Sequence, residues 1–528
     1  MRIRSRVVTG VVALVVTATG LTACGQGGAS SSGRADNTFT YALDEEPITL
    51  NPVNQDEHTD PVTEMVFRGL VAHDGENDVV AALAESWEVS SDDLTYTFAL
   101  RDGVTWHDGA PFSSADVKFT LDAVRAPDSP ASTRQNFEAI TAVETPDANT
   151  VVVQLAEPDA PLLDALTMGI LPRHLLAGKD ITDPEFSQAP VGTGPFRLVD
   201  FQPAQYAELT AFDEYYGGRP KLDKVIITYV PDATARLVQL TNGEVDGSFL
   251  EPQQAARVEQ EDRLRVRVSP TADYRAVMFN MTKPLFADSR VRQAMNYAVD
   301  RDALVEAVLL GYGRPATGPL DLSPVGDPDI ASYRFDPATT AELMRQAGYT
   351  RTDGGPWSRD GQPMQFSIST FAEDPLRVAL LNIVATQLTE AGFDVTAAPK
   401  PRDYVVDNWG ALDAFVIGWG TPYHPDTSLY GPFHSSQVLA KDGSNFGSYA
   451  NSAVDAALDA GRTATEEART AAAYQRFQEA IAADPPYLWL VYLQAINAFP
   501  ADFEGPTDRT LEHHGYGLFY NAETWHWA

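Results

Sequence analysis

The side chains best equipped for chemistry sit in one stretch, Gly418-Trp419-Gly420-Thr421-Pro422-Tyr423-His424-Pro425-Asp426, followed by Gly431-Pro432-Phe433-His434. Trp419 and Tyr423 each join a broad apolar face to a polar tip, the combination that lines small-molecule clefts. His424 and His434 carry imidazoles, which suit transition metals such as Ni²⁺. They stand ten residues apart with no further cluster of ligands between them. A closed protein metal site needs at least three converging ligands, so His58 counts only if the fold brings it across to them. His434 is the candidate metal ligand of the three. Prolines and glycines fix this stretch as a loop at the end of an apolar run, where ligand-contacting residues concentrate.

Several other chemistries are excluded by pattern. The 528 residues carry 73 acidic and 38 basic side chains, a formal charge of −35, which argues against a nucleic-acid partner because phosphate neutralisation needs a basic surface. There is no GxxxxGK[ST] loop, no HExxH and no GxSxG, so nucleotide cradling, zincin chemistry and an α/β-hydrolase elbow are not expected. The near-match Gly192-Thr193-Gly194-Pro195 places proline where a phosphate loop needs an N–H. A glycosidase needs only two carboxylates about 5–10 Å apart. An exported hydrolase therefore stays as the alternative enzyme, and an adhesin or chaperone as a third class. His513-His514 have neither spacing nor context for ligation and are expected as a surface pair, and Trp106-His107-Asp108-Gly109 as a tight turn.

The elements that must position these residues alternate in type, the punctuation of an α/β chain. Strands are expected over 94–100 (ended by the Asp102-Gly103 turn), 151–155, 224–230, 275–280 and 414–419. Asp288-Ser289 caps a helix with Val291, Ala294, Met295, Ala298 and Val299 on one face, running to Gly311. An Ala-rich helical region over 452–483 breaks near Gly461 and stops at Pro485-Pro486. At 528 residues the chain exceeds the ~150 of a common domain, so more than one core is expected.

The N-terminus reads as an address. Arg2, Arg4 and Arg6 precede an apolar run over residues 7–18, too short to span a bilayer. Leu21-Thr22-Ala23-Cys24 follows, then a small-residue stretch over 25–33. The single cysteine of the chain excludes a disulfide scaffold and CxxC chemistry. Its position after two small residues resembles a bacterial lipobox, in which the thiol is lipidated. The expectation is a signal peptide over 1–23, lipidation at Cys24 and a flexible linker over 24–37, holding the protein outside the cytoplasm on the bacterial cell membrane.

Ala84-Glu85-Ser86-Trp87, the strand over 94–100 and Arg101-Asp102-Gly103-Val104-Thr105-Trp106-His107-Asp108-Gly109 together resemble the signature of the family 5 solute-binding proteins, the peptide and nickel receptors of ABC importers. Val191-Gly192-Thr193-Gly194-Pro195-Phe196 resembles their PVGTGPF segment. Phe279-Asn280, Pro284-Leu285-Phe286 and Val291-Arg292-Gln293-Ala294 through Ala298-Val299-Asp300-Arg301 resemble a later one. The resemblance implies a bilobal, periplasmic-binding-protein-like α/β fold of class II type with an extra inserted small lobe. Mapped here, the first lobe takes 38–61, 190–284 and 487–528, the inserted lobe 62–189, and the opposing lobe 285–486.

Within that family, the loop at Trp419 is similar to the nickel-binding branch, whose sequence reads WGxPYDP with a histidine about a dozen residues later. Trp419, Tyr423 and His434 match its ligand contacts, with His424 beside them. Thr421-Pro422 stand where the peptide branch has an acid, and Asp426 is the nearest carboxylate. Leu50-Asn51-Pro52 matches the first cleft segment, whose tyrosine and methionine contacts fall on Gln55 and Asp60. The arginine that binds a chelator carboxylate falls near Met168, and Arg134 matches a second anion contact. Tyr274 and His58 complete the ligand-binding candidates. The resemblance implies a binding protein and not an enzyme. It has no cofactor, and any metal enters only within a transported chelate. Its partners are a small-molecule or peptide ligand, ABC permease subunits, and the membrane through its lipid anchor, and the protein is expected to be a monomer.

Overall fold

A computed structural model describes residues 37–54 and 61–528, apart from 328, 331–332, 353 and 442. The signal segment, Cys24, most of the linker, and Gln55, His58 and Asp60 lie outside the described residues.

Two unusually long strands organise the molecule. Leu264–Phe279 and Tyr487–Pro500 run antiparallel through the middle of an eleven-stranded mixed sheet. On one side Tyr487–Pro500 leads through Gly247–Phe249, Thr38–Leu43, Lys224–Tyr229 and Tyr206–Ala211 to Phe196–Gln202. On the other, Leu264–Phe279 leads through Ala414–Trp419 and Gln365–Ser369 to Asp394–Ala397. Thr271 to Phe279 are all buried, because both faces of a central strand are covered by packing. Ladder pairing is interrupted between Pro270 and Tyr274. At this break the backbone of Ala272 turns instead to Leu511, whose carbonyl it meets at 2.8 Å.

The break divides the apolar interior. One core holds Phe39, Tyr41, Trp106, Phe137, Leu209, Phe499 and Trp525, with a satellite around Leu240 and Val258. This half includes a separate four-stranded antiparallel sheet, ordered Ala84–Val89, Thr95–Leu100, Thr150–Leu155, Ile140–Asp147, with the helix Ser114–Val124 against it. Alternating burial in Thr95–Leu100 and Thr150–Leu155 reproduces the period-2 pattern of their sequences. The other half packs around Phe279, Met295, Leu381 and Leu488, and around Phe415, Tyr474 and Trp489.

Strand positions agree with the sequence reading, except that the strand expected at 275–280 begins eleven residues earlier. The helix expected to run from Asp288 to Gly311 is two helices, Ser289–Tyr297 and Arg301–Val308. Asp300 adopts extended backbone between them and caps the second by accepting from the Ala303 N–H at 3.1 Å, so a good N-cap residue outweighed an unbroken apolar face. The Ala-rich region is Ser452–Arg462 and Glu467–Ala483, broken just past Gly461.

Candidate functional site

A chamber of about 1010 Å³ lies between the two halves. Pro52, Glu64, His73, Asp159, Asp164, Met168, Arg509 and Glu512 line it from one half, and Trp419, Tyr423, Asp426, Tyr430 and Arg462 from the other. The loop expected to carry ligand contacts therefore enters this chamber.

The loop's path is fixed by two glycines. A Cβ at Gly418 would lie 2.3 Å from the Arg275 guanidinium, and one at Gly420 would lie 1.9 Å from the Ala272 carbonyl. Gly420 has φ +138°, which other residues rarely adopt. Trp419, beside them, is backed by Phe446 in a stacked arrangement with centroids 6.2 Å apart. Four residues later Tyr423 crosses the gap. Its ring lies on His73 with centroids 3.6 Å apart and planes within 6°. Its hydroxyl donates to Glu512 at 2.6 Å and accepts from Arg509 at 3.1 Å. His73 is in turn held by Asp164 at 2.7 Å. Burial and the adjoining Glu512 carboxylate push the Tyr423 phenol well above its ordinary range, so it acts as a neutral donor. Two further contacts tie the halves together: Ala160 N–H donates to the Arg462 carbonyl at 2.8 Å, and Thr465 Oγ1 donates to Asp93 at 2.7 Å. The described conformation is thus a closed one.

Two charge groups face the chamber. In the first, Arg462 grips Asp426 through Nε at 3.1 Å to each oxygen and Nη2 at 2.7 Å, with its guanidinium 3.3 Å from the centre of the Tyr430 ring. Asp159 is the third member. Burial and then the Asp426 charge push its carboxyl up to about 7, against the pull of Arg462. In the second, Glu64 is pushed up to about 7 by burial, with Arg509 opposing and Glu512 adding to the rise. Acids outnumber bases on the lining, since Glu138, Glu157, Asp164 and Asp459 join those named and Arg68 is the one further arginine.

The remaining sequence candidates are placed elsewhere. Tyr274 sits in the core against Trp489 and Tyr492, because it belongs to the doubly covered part of its strand. His434 is 8% exposed, stacks behind Tyr430 at 4.3 Å, and spends Nδ1 on Ser436 at 2.6 Å. It caps the end of the helix Asp426–Phe433, with Nε2 3.3 Å from Asp459, and is not itself among the residues lining the chamber. His424 accepts from the Asp426 N–H at 3.3 Å and meets Tyr474 edge-on, and burial lowers its proton affinity. Arg134 pairs with Glu138 at 3.4 Å and is not itself among the lining residues, although Gln135, Asn136 and Glu138 are. Met168 lines it without a cation at that position, meeting Thr133 at 3.4 Å.

His513, expected on the surface, is half-buried at the strand break, where its Nδ1 is 2.7 Å from Asp273. Segments that converge only in three dimensions supply Arg462, Arg509, Glu512, His73, Glu64 and Asp159, which the sequence reading did not single out. Among the described residues no group of three or more His, Cys, Asp or Glu side chains is arranged to hold a metal ion, and no helix is long and apolar enough to cross a membrane.

Comparison with known proteins agrees with this architecture. Residues 78–440 match the family described as bacterial extracellular solute-binding proteins, family 5. Protein XP55 of Streptomyces lividans is 32% identical over 516 residues, covering 96% of this chain and 93% of that protein. Among solved structures, NikZ from Campylobacter jejuni in complex with Ni(L-His) is 34% identical with a TM-score of 0.88. AppA from Bacillus subtilis in complex with a nonapeptide is 28% identical with a TM-score of 0.81. Each covers 93% of this chain and 99% of its own. With a bilobal α/β fold, a chamber between the halves and a family match over most of its length, this chain belongs to the extracellular solute-binding proteins of family 5, which are receptors and not enzymes.

Proposed function

We propose that this protein is the lipid-anchored receptor of a peptide/nickel-type ABC importer, enclosing a small peptide-like solute in the chamber and delivering it unaltered to the permease. The observation that carries this reading is the chamber itself: enclosed between two halves, flanked by Trp419 and Tyr423, and lined by more acids than bases. A solute that fills it and contacts both sides favours the closed form by its differential affinity for that form. An acid-rich lining suits a solute bearing positive charge, as a peptide ammonium does.

A metal–amino-acid chelate is the second reading. The likeness to NikZ in complex with Ni(L-His) supports it, whereas His434, the imidazole that the loop motif offered, is not among the residues lining the chamber. The domain boundaries mapped from the sequence, a monomeric state and the absence of a resident cofactor are part of the same proposal. So is the tether: cleavage before Cys24 and acylation of its thiol, with two or more acyl chains giving stable attachment.

Native mass spectrometry of the protein as purified, with metal analysis, tests the reading. The expected result is one small organic solute per chain without stoichiometric nickel. Nickel at one equivalent with histidine would select the chelate reading, and turnover of peptides by the purified chain would overturn both.

A further inference from the structure

The segment from Arg509 to His514 is anchored in one half, where Arg509 donates to Asn77 at 2.9 Å and the Thr510 carbonyl accepts from the Asn77 amide at 3.1 Å. It crosses the strand break and grips the loop that the other half sends into the chamber. Leu511 donates to the Pro270 carbonyl and accepts from the Ala272 N–H, each at 2.8 Å. Glu512 holds the Tyr423 hydroxyl. His513 adds two contacts of its own. Its backbone N–H donates to the Gly420 carbonyl at 2.9 Å, and its Nδ1 stands 2.7 Å from Asp273. A carboxylate oxygen only accepts, so Nδ1 carries the proton of the neutral ring. Nε2 is then the bare nitrogen, and it is buried with no hydrogen-bond partner among the described residues. The ring also occupies the space beside Gly418, where a Cβ would lie 2.8 Å from His513 Cε1. Both chain neighbours of Trp419 therefore rest on this one histidine.

We propose that His513 is a positioning residue of the receptor, holding the Trp419 loop in its closed setting while its ring is uncharged and letting the loop go when acid adds a second proton. The charged and titratable groups around the ring are Asp273 and Arg275 from the long strand and Arg377 at the start of the helix Pro375–Glu390. Its own segment adds His514, with ring centroids 4.1 Å apart, and Glu512, which Tyr423 already engages. Gly418, Trp419 and Gly420 bring no charge. Asp273 is already paired with Arg275, so a proton on Nε2 finds no free counter-ion and puts a charged N–H where nothing accepts it. Burial accordingly lowers the proton affinity of the ring, with Asp273 opposing and Arg275 and Arg377 adding to the effect. A ring harder to protonate in the closed form than in water favours that form fully above about pH 6.5, and progressively less as pH falls. The inference rests on the chamber being the solute site only for its consequence, which is weaker retention of solute in acid.

The test is hydrogen exchange read by mass spectrometry, corrected for the intrinsic rate at each pH, on the full-length protein without added solute at pH 7.5 and pH 5. Wild type is expected to lose protection over residues 511–516 and 417–426 at pH 5 by about three-fold or more, while the helix Pro375–Glu390 keeps its own. A ring that titrates near 6.5 in water sets a ceiling of roughly thirty-fold over that interval. His513→Asn offers Asp273 an amide donor and takes up no proton, so its protection is expected to be equal at the two pH values. His513→Ala is expected to be poorly protected at both. Glu64 and Asp159, pushed up to about 7, are common to all three proteins, so the difference between wild type and His513→Asn belongs to His513. Equal protection of wild type at both pH values, the same loss in His513→Asn, or full protection in His513→Ala would overturn the inference. Retention of a tryptic casein digest, read by native mass spectrometry, carries the consequence. Wild type is expected to retain about three-fold less than His513→Asn at pH 5, and equal retention would overturn the positioning role. If wild type retains no peptide at either pH, the chamber reading fails, and exchange still decides whether His513 holds the loop.

Discussion

Two buried charge groups in this molecule have opposite characters. At the strand break, Asp273 is enclosed by Arg275, the His513 ring at 2.7 Å and the His514 N–H at 3.1 Å. Burial would raise its proton affinity, but Arg275 and then His513 outweigh that and hold the carboxyl well below the usual carboxylate range. In the chamber, Asp159 and Glu64 are driven upward to about 7, because burial there is not matched by cations. Both groups consist of carboxylates, arginines and neighbouring rings. What separates them is whether the protein completes its own pairing. A satisfied cluster holds the frame, whereas an incomplete one reserves a place for something from outside.

The largest expected effect breaks the satisfied side. Asp273→Asn leaves the Arg275 guanidinium buried without its counter-ion, and a loss of about 3–5 kcal/mol is expected in urea denaturation; a loss below about 1 kcal/mol would erase the contrast. Next, Trp419→Ala removes an aromatic wall of the chamber and should weaken solute binding by about 1–3 kcal/mol in calorimetric titration, without unfolding the protein.

A smaller effect sharpens the comparison through pH. The depressed Asp273 contributes stability that is complete above its unfolded value of about 3.9 and declines as pH falls toward its folded value. The raised Asp159 and Glu64 act in reverse: their favourable contribution is complete below about pH 4 and is lost as pH rises to about 7. Solute-free Asp159→Asn should therefore melt about 2 °C or more above wild type at pH 8 and level with it at pH 4. An equal difference at both pH values would show that charge is not its cause. The smallest effect is the control: Arg134→Ala, an exposed pair with Glu138, should change stability and solute affinity by less than about 0.5 kcal/mol.

Local rules made part of this legible in the sequence. The strands Thr95–Leu100 and Thr150–Leu155 announce themselves by alternation, and the loop at Trp419 by its glycines and prolines, whose packing against Ala272 and Arg275 explains why they are there. Tyr274 was not decidable in the same way, since in a strand buried from Thr271 to Phe279 no period separates a cleft-facing tyrosine from a core one. His434 stands at a distance along the chain from Trp419 that suits the motif. The helix Asp426–Phe433 between them sets its direction, and linear spacing does not record that. Arg509, Glu512 and Asp159 come from three distant segments, and their convergence depends on how the halves meet. Glu157-Pro158-Asp159 carried only the meaning of a strand end.

The two long strands also fix how the molecule can be taken apart. The chain leaves the first half along Leu264–Phe279 and comes back along Tyr487–Pro500, and Met278 stands directly opposite Tyr487 in the ladder. Everything from 280 to 486 is consequently one continuous cassette whose ends are next-door neighbours. Two junctions at adjacent rungs suffice to transplant it from one relative to another, so that the contribution of each wall of the chamber to solute choice becomes separable by chimaera construction.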